Sequence, residues 1–201
     1  MRRFLFAVIV SLMPMTAVAK PIIVVLGDSI SAGYGIEIEE GWVALLQKKL
    51  IATNSNYSIS NASISGDTSA GGLARIDQIL TAYKPAIVLV QLGANDGLRG
   101  LSPVQMKNNL AGIVRRAQKA GAKVILLGMK IPPNYGKRYV ELFYNVYPQL
   151  AKELDVPIVP FILEDIVLNK DLMQADGLHP NAKAQPILAD KIEPYLFPLL
   201  K

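Results

Sequence analysis

His179 is the only histidine in a chain of 201 residues that has no cysteine. Asp176 stands three residues before it, in Asp176-Gly177-Leu178-His179, and far upstream an aliphatic run stops abruptly at Gly27-Asp28-Ser29. A serine hydroxyl is a poor nucleophile until a neighbouring base takes its proton, and His179 is the one imidazole available to do so. A carboxylate on the other ring nitrogen would hold that imidazole in the required tautomer. Acyl transfer also needs donors for the oxyanion. The Ser29 backbone N–H is one, and Gly66 lets a second backbone N–H approach closely because it has no Cβ. Asn95, within Gly93-Ala94-Asn95-Asp96-Gly97, offers a side-chain amide as a third. Each residue also has a plainer reading. Gly, Asp and Ser all favour turns, a lone histidine is commonly structural, and Asn95-Asp96-Gly97 reads equally well as a β-turn.

The elements that must position these groups alternate along the chain. Apolar runs predict strands at 22–26, 57–61, 86–92, 123–128 and 157–159. Between them, apolar residues at three- and four-residue spacing predict helices at 42–51, 73–83, 103–120 and 138–154, with a last helix over about 181–196. Ser102-Pro103 makes a helix start and Gly121 a stop. No linker, repeat or charge block divides the chain, so strands alternating with helices imply one parallel sheet covered on both faces. In such sheets ligands bind beyond the carboxyl ends of the strands. Ser29, Gly66, Asn95, the segment 129–136 and the Asp176–His179 block all follow predicted strands. That shared placement, more than any single residue, argues for one site. The apolar residues Ile30, Leu98, Ile131, Pro132, Pro133, Tyr135 and Leu178 fall nearby, as an acyl groove or as ordinary core and rim. Asp28 and Asp96 are expected to fix their turns, Asp67-Thr68 to hold the Gly66 loop, and Trp42 to pack the first long helix on the sheet.

Residues 1–19 are set apart by Arg2 and Arg3, an apolar stretch over 4–13 and Ala17-Val18-Ala19. This is the pattern of an export signal cleaved after Ala19. The stretch is much shorter than the roughly 20 residues that span a bilayer. The expected mature domain, 20–201, then suits a single core, placed in the periplasm or outside the cell with no stable membrane insertion. The formal charge of +5 falls to +3 once Arg2 and Arg3 leave, which gives little support for nucleic-acid binding. One histidine and no cysteine leave an ordinary zinc site without ligands, so neither a metal nor another cofactor is expected. A monomer is expected.

Taken together, Gly27-Asp28-Ser29, Gly66, Asn95 and Asp176-x-x-His179 resemble the four signature blocks of the SGNH (GDSL-type) hydrolases. Longer stretches, LGDSISAGYG, NASISGDTSAGGLARI, LGANDGLRG, NYGKRY and DGLHPNAKAQP, resemble the exported thioesterase/lysophospholipase/arylesterase branch. The resemblance implies a flavodoxin-like three-layer α/β/α sandwich with a central parallel sheet of about five strands. It implies Ser29 as nucleophile, His179 as base, Asp176 as the group orienting it, and Ser29, Gly66 and Asn95 as oxyanion donors. The implied reaction is hydrolysis of small-molecule or lipid esters and thioesters through an acyl-enzyme on Ser29. Two features depart from the branch without removing a reactive group: the segment 37–40 is more acidic, and Ala94 stands where a second glycine is frequent. A carbohydrate O-acetylesterase is the rival enzymatic reading, and a flavodoxin-like module holding an anion on helix N-termini is the non-enzymatic one.

Overall fold

The computed structural model describes residues 20–200. The expected leader, 1–19, lies outside the described residues. Five strands, β1 (Ile22–Gly27), β2 (Ser58–Asn61), β3 (Ile87–Gln91), β4 (Lys123–Leu127) and β5 (Ile158–Val159), form one sheet in the order β2-β1-β3-β4-β5. Every pairing is parallel. The inner strands β1, β3 and β4 are almost wholly buried aliphatic runs, as strands covered on both faces must be. The edges are short, and β2, with the sequence SISN, is only half-buried.

Seven α-helices, with short 3₁₀ turns between some of them, accompany the sheet among the described residues: α1 (Ser29–Ala32), α2 (Trp42–Ala52), α3 (Ser69–Tyr83), α4 (Ala94–Leu98), α5 (Pro103–Lys119), α6 (Lys137–Leu154) and α7 (Gln185–Leu196). Parallel crossovers are right-handed. The crossover from β1 to β2 runs one way along the sheet, and those from β2 to β3, β3 to β4 and β4 to β5 run the other way. The connecting helices therefore fall on opposite faces. Accordingly α3, α5 and α6 pack side by side, while α2 packs against α7. This is the three-layer sandwich implied by the sequence. Trp42, at the first turn of α2, is fully buried in the core, as expected.

The differences from the predicted elements have local causes. Helix α3 begins at Ser69 rather than 73 because Thr68 caps it, its hydroxyl accepting from the Gly71 N–H at 3.3 Å. Gly71 and Gly72 break the apolar periodicity there, which hid the first turn. The segment 95–97, for which a β-turn was the plainer alternative, lies in the helix α4. The last helix starts later, after a 3₁₀ turn at Ala182–Ala184 that Asn181 caps by accepting from the Lys183 N–H at 3.0 Å.

The chain leaves β1 and β3, adjacent in the sheet, toward opposite faces. That divergence opens a crevice at their carboxyl ends, the switch point at which open α/β sheets bind ligands.

Candidate active site

Ser29 and Asn95 stand on the two sides of that crevice, at the exits of β1 and β3. Asp28 is the N-cap of α1, its carboxylate accepting from the Ile30 N–H at 3.1 Å. This cap ends β1 and makes Ser29 the first helical residue. Among the described residues neither the Ser29 N–H nor the Gly66 N–H has a protein acceptor. Gly66 has φ +81°, a left-handed conformation costly for a residue with a Cβ. Asn95 Nδ2 donates to the Asp67 carbonyl at 2.9 Å and makes only a long contact of 3.4 Å to Asp28 Oδ2. One amide hydrogen is thus firmly tethered, while the other is held only by the long contact with Asp28, which an incoming oxyanion can displace.

His179 and Asp176 arrive on a loop beyond β5. An antiparallel bridge between Met173 and Pro180 closes it, and the Gln174 N–H donates to the His179 carbonyl at 2.8 Å. At its tip Asp176 Oδ1 accepts from the backbone N–H groups of Leu178 (2.9 Å) and His179 (3.0 Å). Asp176 Oδ2 lies 2.7 Å from His179 Nδ1, and His179 Nε2 lies 2.8 Å from Ser29 Oγ. Partial burial raises the Asp176 pKa, but the hydrogen bonds from His179 and Leu178 outweigh it and hold the carboxyl at about 2. An ionised Asp176 only accepts, so Nδ1 carries the ring proton and Nε2 is left to accept from the Ser29 hydroxyl.

Asp28 behaves in the opposite way: burial pushes its carboxyl from 3.8 up to about 6, despite the Ile30 N–H and the nearby His179. Contrary to the expectation from the sequence, the Asp96 side chain does not fix its own turn. Its carboxylate accepts from the Ser69 N–H at 2.8 Å and from the Ser69 hydroxyl, at the start of α3. Asn109 of α5 donates to the same hydroxyl at 3.0 Å. Asp96 thereby supplies an acceptor to an N–H at the start of α3 that has no partner within the helix, and it ties α4, and with it Asn95, to α3 and α5. Asp67 meets the expectation for its loop, pairing with Arg75 of α3 at 2.8 Å.

A cavity of about 260 Å³ opens beside Ser29 and His179. Of the apolar residues singled out in the sequence, Ile30, Leu98, Ile131, Pro132 and Leu178 line it. Pro133 and Tyr135 do not: both lie in a 3₁₀ turn, where the Tyr135 hydroxyl donates to the Leu98 carbonyl at 2.8 Å. Met129, from the segment 129–136 placed at the site, also lines the cavity, as do Tyr34 and Leu163, which were not anticipated. Tyr34 lies against the His179 ring, centroids 4.7 Å apart. Its carbonyl accepts from Gln174 Nε2 at 2.7 Å, which binds the histidine loop to the turn after α1. Its position between two glycines is the signal that could have found it, since GYG right after the Ser29 helix puts an aromatic ring at the same sheet edge.

A parallel sheet with a Ser–His–Asp relay at its switch point defines a serine hydrolase of the acyl-transfer class. The chain belongs to the GDSL-like lipase/acylhydrolase family, whose model matches residues 25–186, and it is a serine esterase. Esterase TesA of Pseudomonas aeruginosa is 51% identical over 189 residues, 94% of each chain. Thioesterase 1/protease 1/lysophospholipase L1 of Escherichia coli is 46% identical over 197 residues, covering 98% of this chain and 92% of that one. The crystal structure of the psychrotrophic esterase EstA from a Pseudoalteromonas species superposes with a TM-score of 0.85. It is 45% identical and covers 88% of this chain and 97% of its own. The reading as a non-enzymatic anion-binding module is set aside by this membership.

Proposed function

We propose that this esterase is exported and hydrolyses medium-chain acyl esters and thioesters, lysophospholipids among them, by a Ser29 acyl-enzyme. The observation that carries the mechanism is the run of contacts from Asp176 Oδ2 through His179 to Ser29 Oγ, at 2.7 and 2.8 Å. Ser29 Oγ attacks the acyl carbonyl as its proton passes to His179 Nε2. The ionised Asp176 stabilises the resulting imidazolium through Nδ1–H. The oxyanion takes hydrogen bonds from the Ser29 and Gly66 N–H groups and from the second Asn95 N–H, displacing its long contact with Asp28. As the tetrahedral intermediate collapses, Nε2–H returns the proton to the departing alcohol or thiol. Water then attacks the acyl-Ser29 carbonyl, giving its proton to His179, and the acid leaves as Ser29 is reprotonated.

The substrate class is supported by the apolar lining and the size of the cavity. At roughly 30 Å³ for each water-sized group, about 260 Å³ takes some eight or nine methylene-sized groups. The names of the relatives, esterase, thioesterase and lysophospholipase, point the same way. Export is supported by the basic, apolar and small-residue pattern of 1–19. Outside the inner membrane lysophospholipids are at hand and acyl-CoA is not.

The test is hydrolysis of a p-nitrophenyl ester series from acetyl to palmitoyl, with Ser29→Ala alongside. Turnover should peak at medium chains and vanish in Ser29→Ala. A Ser29-dependent peak at acetate would replace this reading with a deacetylase, and turnover that survives in Ser29→Ala would remove Ser29 from the mechanism.

A further inference from the structure

The cavity rim has two chemically different sides. Leu98, in the cavity wall, continues outward through the α4–α5 connection to Leu101 and Val104, 44% and 70% exposed. The start of α6 lies against this connection, because the Tyr139 hydroxyl donates to the Leu101 carbonyl at 2.7 Å and that of Tyr135 to the Leu98 carbonyl. From there Tyr135 and Leu142 add 37% and 53% exposed apolar surface to the same patch. Its charge is one-sided. Arg99, Lys137 and Arg138 are all exposed, and the one acid paired among them is Glu141, 3.9 Å from Lys137. Arg138 is in no ion pair among the described residues, and Arg99 donates only to the Gly66 carbonyl, at 2.8 Å. On the other side of the mouth, past Tyr34, Glu37, Glu39 and Glu40 are all exposed.

We propose that the apolar, cationic side of the rim docks on an anionic phospholipid bilayer and presents the cavity to acyl chains lying in it. Tyrosine and leucine side chains seat at the boundary between headgroups and chains, and arginines beside them are drawn to anionic headgroups. The acidic side is repelled by the same surface, which fixes the approach. No described helix is long and apolar enough to cross a bilayer, so the contact is peripheral. A second copy of this chain meets the patch less well, since a two-fold contact would set Arg99, Lys137 and Arg138 against themselves.

This inference deepens the proposed action on lysophospholipids and rests on it for its purpose, but binding is measured without turnover. The experiment is cosedimentation of the protein with phosphatidylglycerol vesicles and, separately, phosphatidylcholine vesicles. Binding should favour phosphatidylglycerol by about tenfold or more and disappear in molar salt, where the Debye length is roughly 3 Å. Arg138→Glu and the double variant Val104→Ser/Leu142→Ser should each weaken it about tenfold and leave hydrolysis of soluble p-nitrophenyl butyrate unchanged. Equal binding to both vesicles, no binding, or full binding by the variants would overturn the inference. So would a concentration-dependent dimer dissolved by the double variant, which would assign the patch to a second copy. Vesicle binding without hydrolysis of lysophospholipid held in the vesicles would uphold the docking and remove the substrate reading instead.

Discussion

Asn95 and Asp28 are neighbours with opposite demands on charge. Asn95 keeps one N–H tethered to the Asp67 carbonyl and offers the other to the oxyanion. Asn95→Ala is expected to lower kcat by about 10²–10³ with thermal stability little changed; near-normal kcat on a good substrate would take Asn95 out of the oxyanion site. Asp28 carries a stability cost. Its carboxyl is raised from 3.8 to about 6 by burial, so the folded chain holds that proton more tightly than the unfolded chain. Stability from this group is therefore complete below about pH 4 and is lost as the pH rises through about 6. Asp28→Asn keeps an oxygen for the Ile30 N–H and removes the cost. Its Tm should exceed that of the parent near neutral pH, by the equivalent of up to about 3 kcal/mol, and the two should converge by about pH 4. A Tm difference independent of pH would show that burial of the charge is not what Asp28 costs.

At the scale of elements, the loop bearing Asp176 and His179 is placed by contacts to the turn after α1. Gln174 Nε2 donates to the carbonyls of Tyr34 (2.7 Å) and Pro180 (3.1 Å), so one amide joins the Ser29 side of the site to the His179 side. Gly35 leaves room for that amide; a Cβ there would collide with Gln174 Oε1, at a φ of +74° that disfavours a side chain in any case. A small misplacement of a reacting group costs up to about 10² in rate. Gln174→Ala should lower kcat about tenfold to a hundredfold while KM changes little, and Gly35→Ala should do the same. A rise in KM at constant kcat would mean that the amide shapes the substrate pocket rather than the relay. None of this was legible in the sequence, where Gln174 lies 140 positions from Tyr34. The relay residues were legible because the chain has a single histidine, with an aspartate three residues before it, and because their blocks follow strands. Pro133 and Tyr135 were misplaced because a 3₁₀ turn carries them past the cavity, and Leu163 was overlooked because the segment after β5 has no polar block to draw notice.

For the whole molecule, alternation of apolar runs was enough to predict a parallel sheet, since buried strands and two-faced packing leave few other solutions. Strand order was not readable from the runs, and it is the order, with β1 beside β3, that brings Ser29 and Asn95 together. The finished assembly has a defined acid response. The Asp176 carboxyl, held at about 2, keeps the stability it contributes above its ordinary 3.8 until the pH falls through that lower value. The histidine loop should thus keep its contacts in mild acid.

The 2.7 Å contact between His179 Nδ1 and Asp176 Oδ2 gives the protein a built-in spectroscopic reporter. Its proton belongs to the only imidazole in the chain, so the far-downfield region of the proton NMR spectrum should hold a single ring N–H resonance of this kind. Acylation of Ser29 or loss of the Asp176 contact would each move or broaden that one line. The state of the relay can therefore be followed in unlabelled protein, free of overlap from any other histidine.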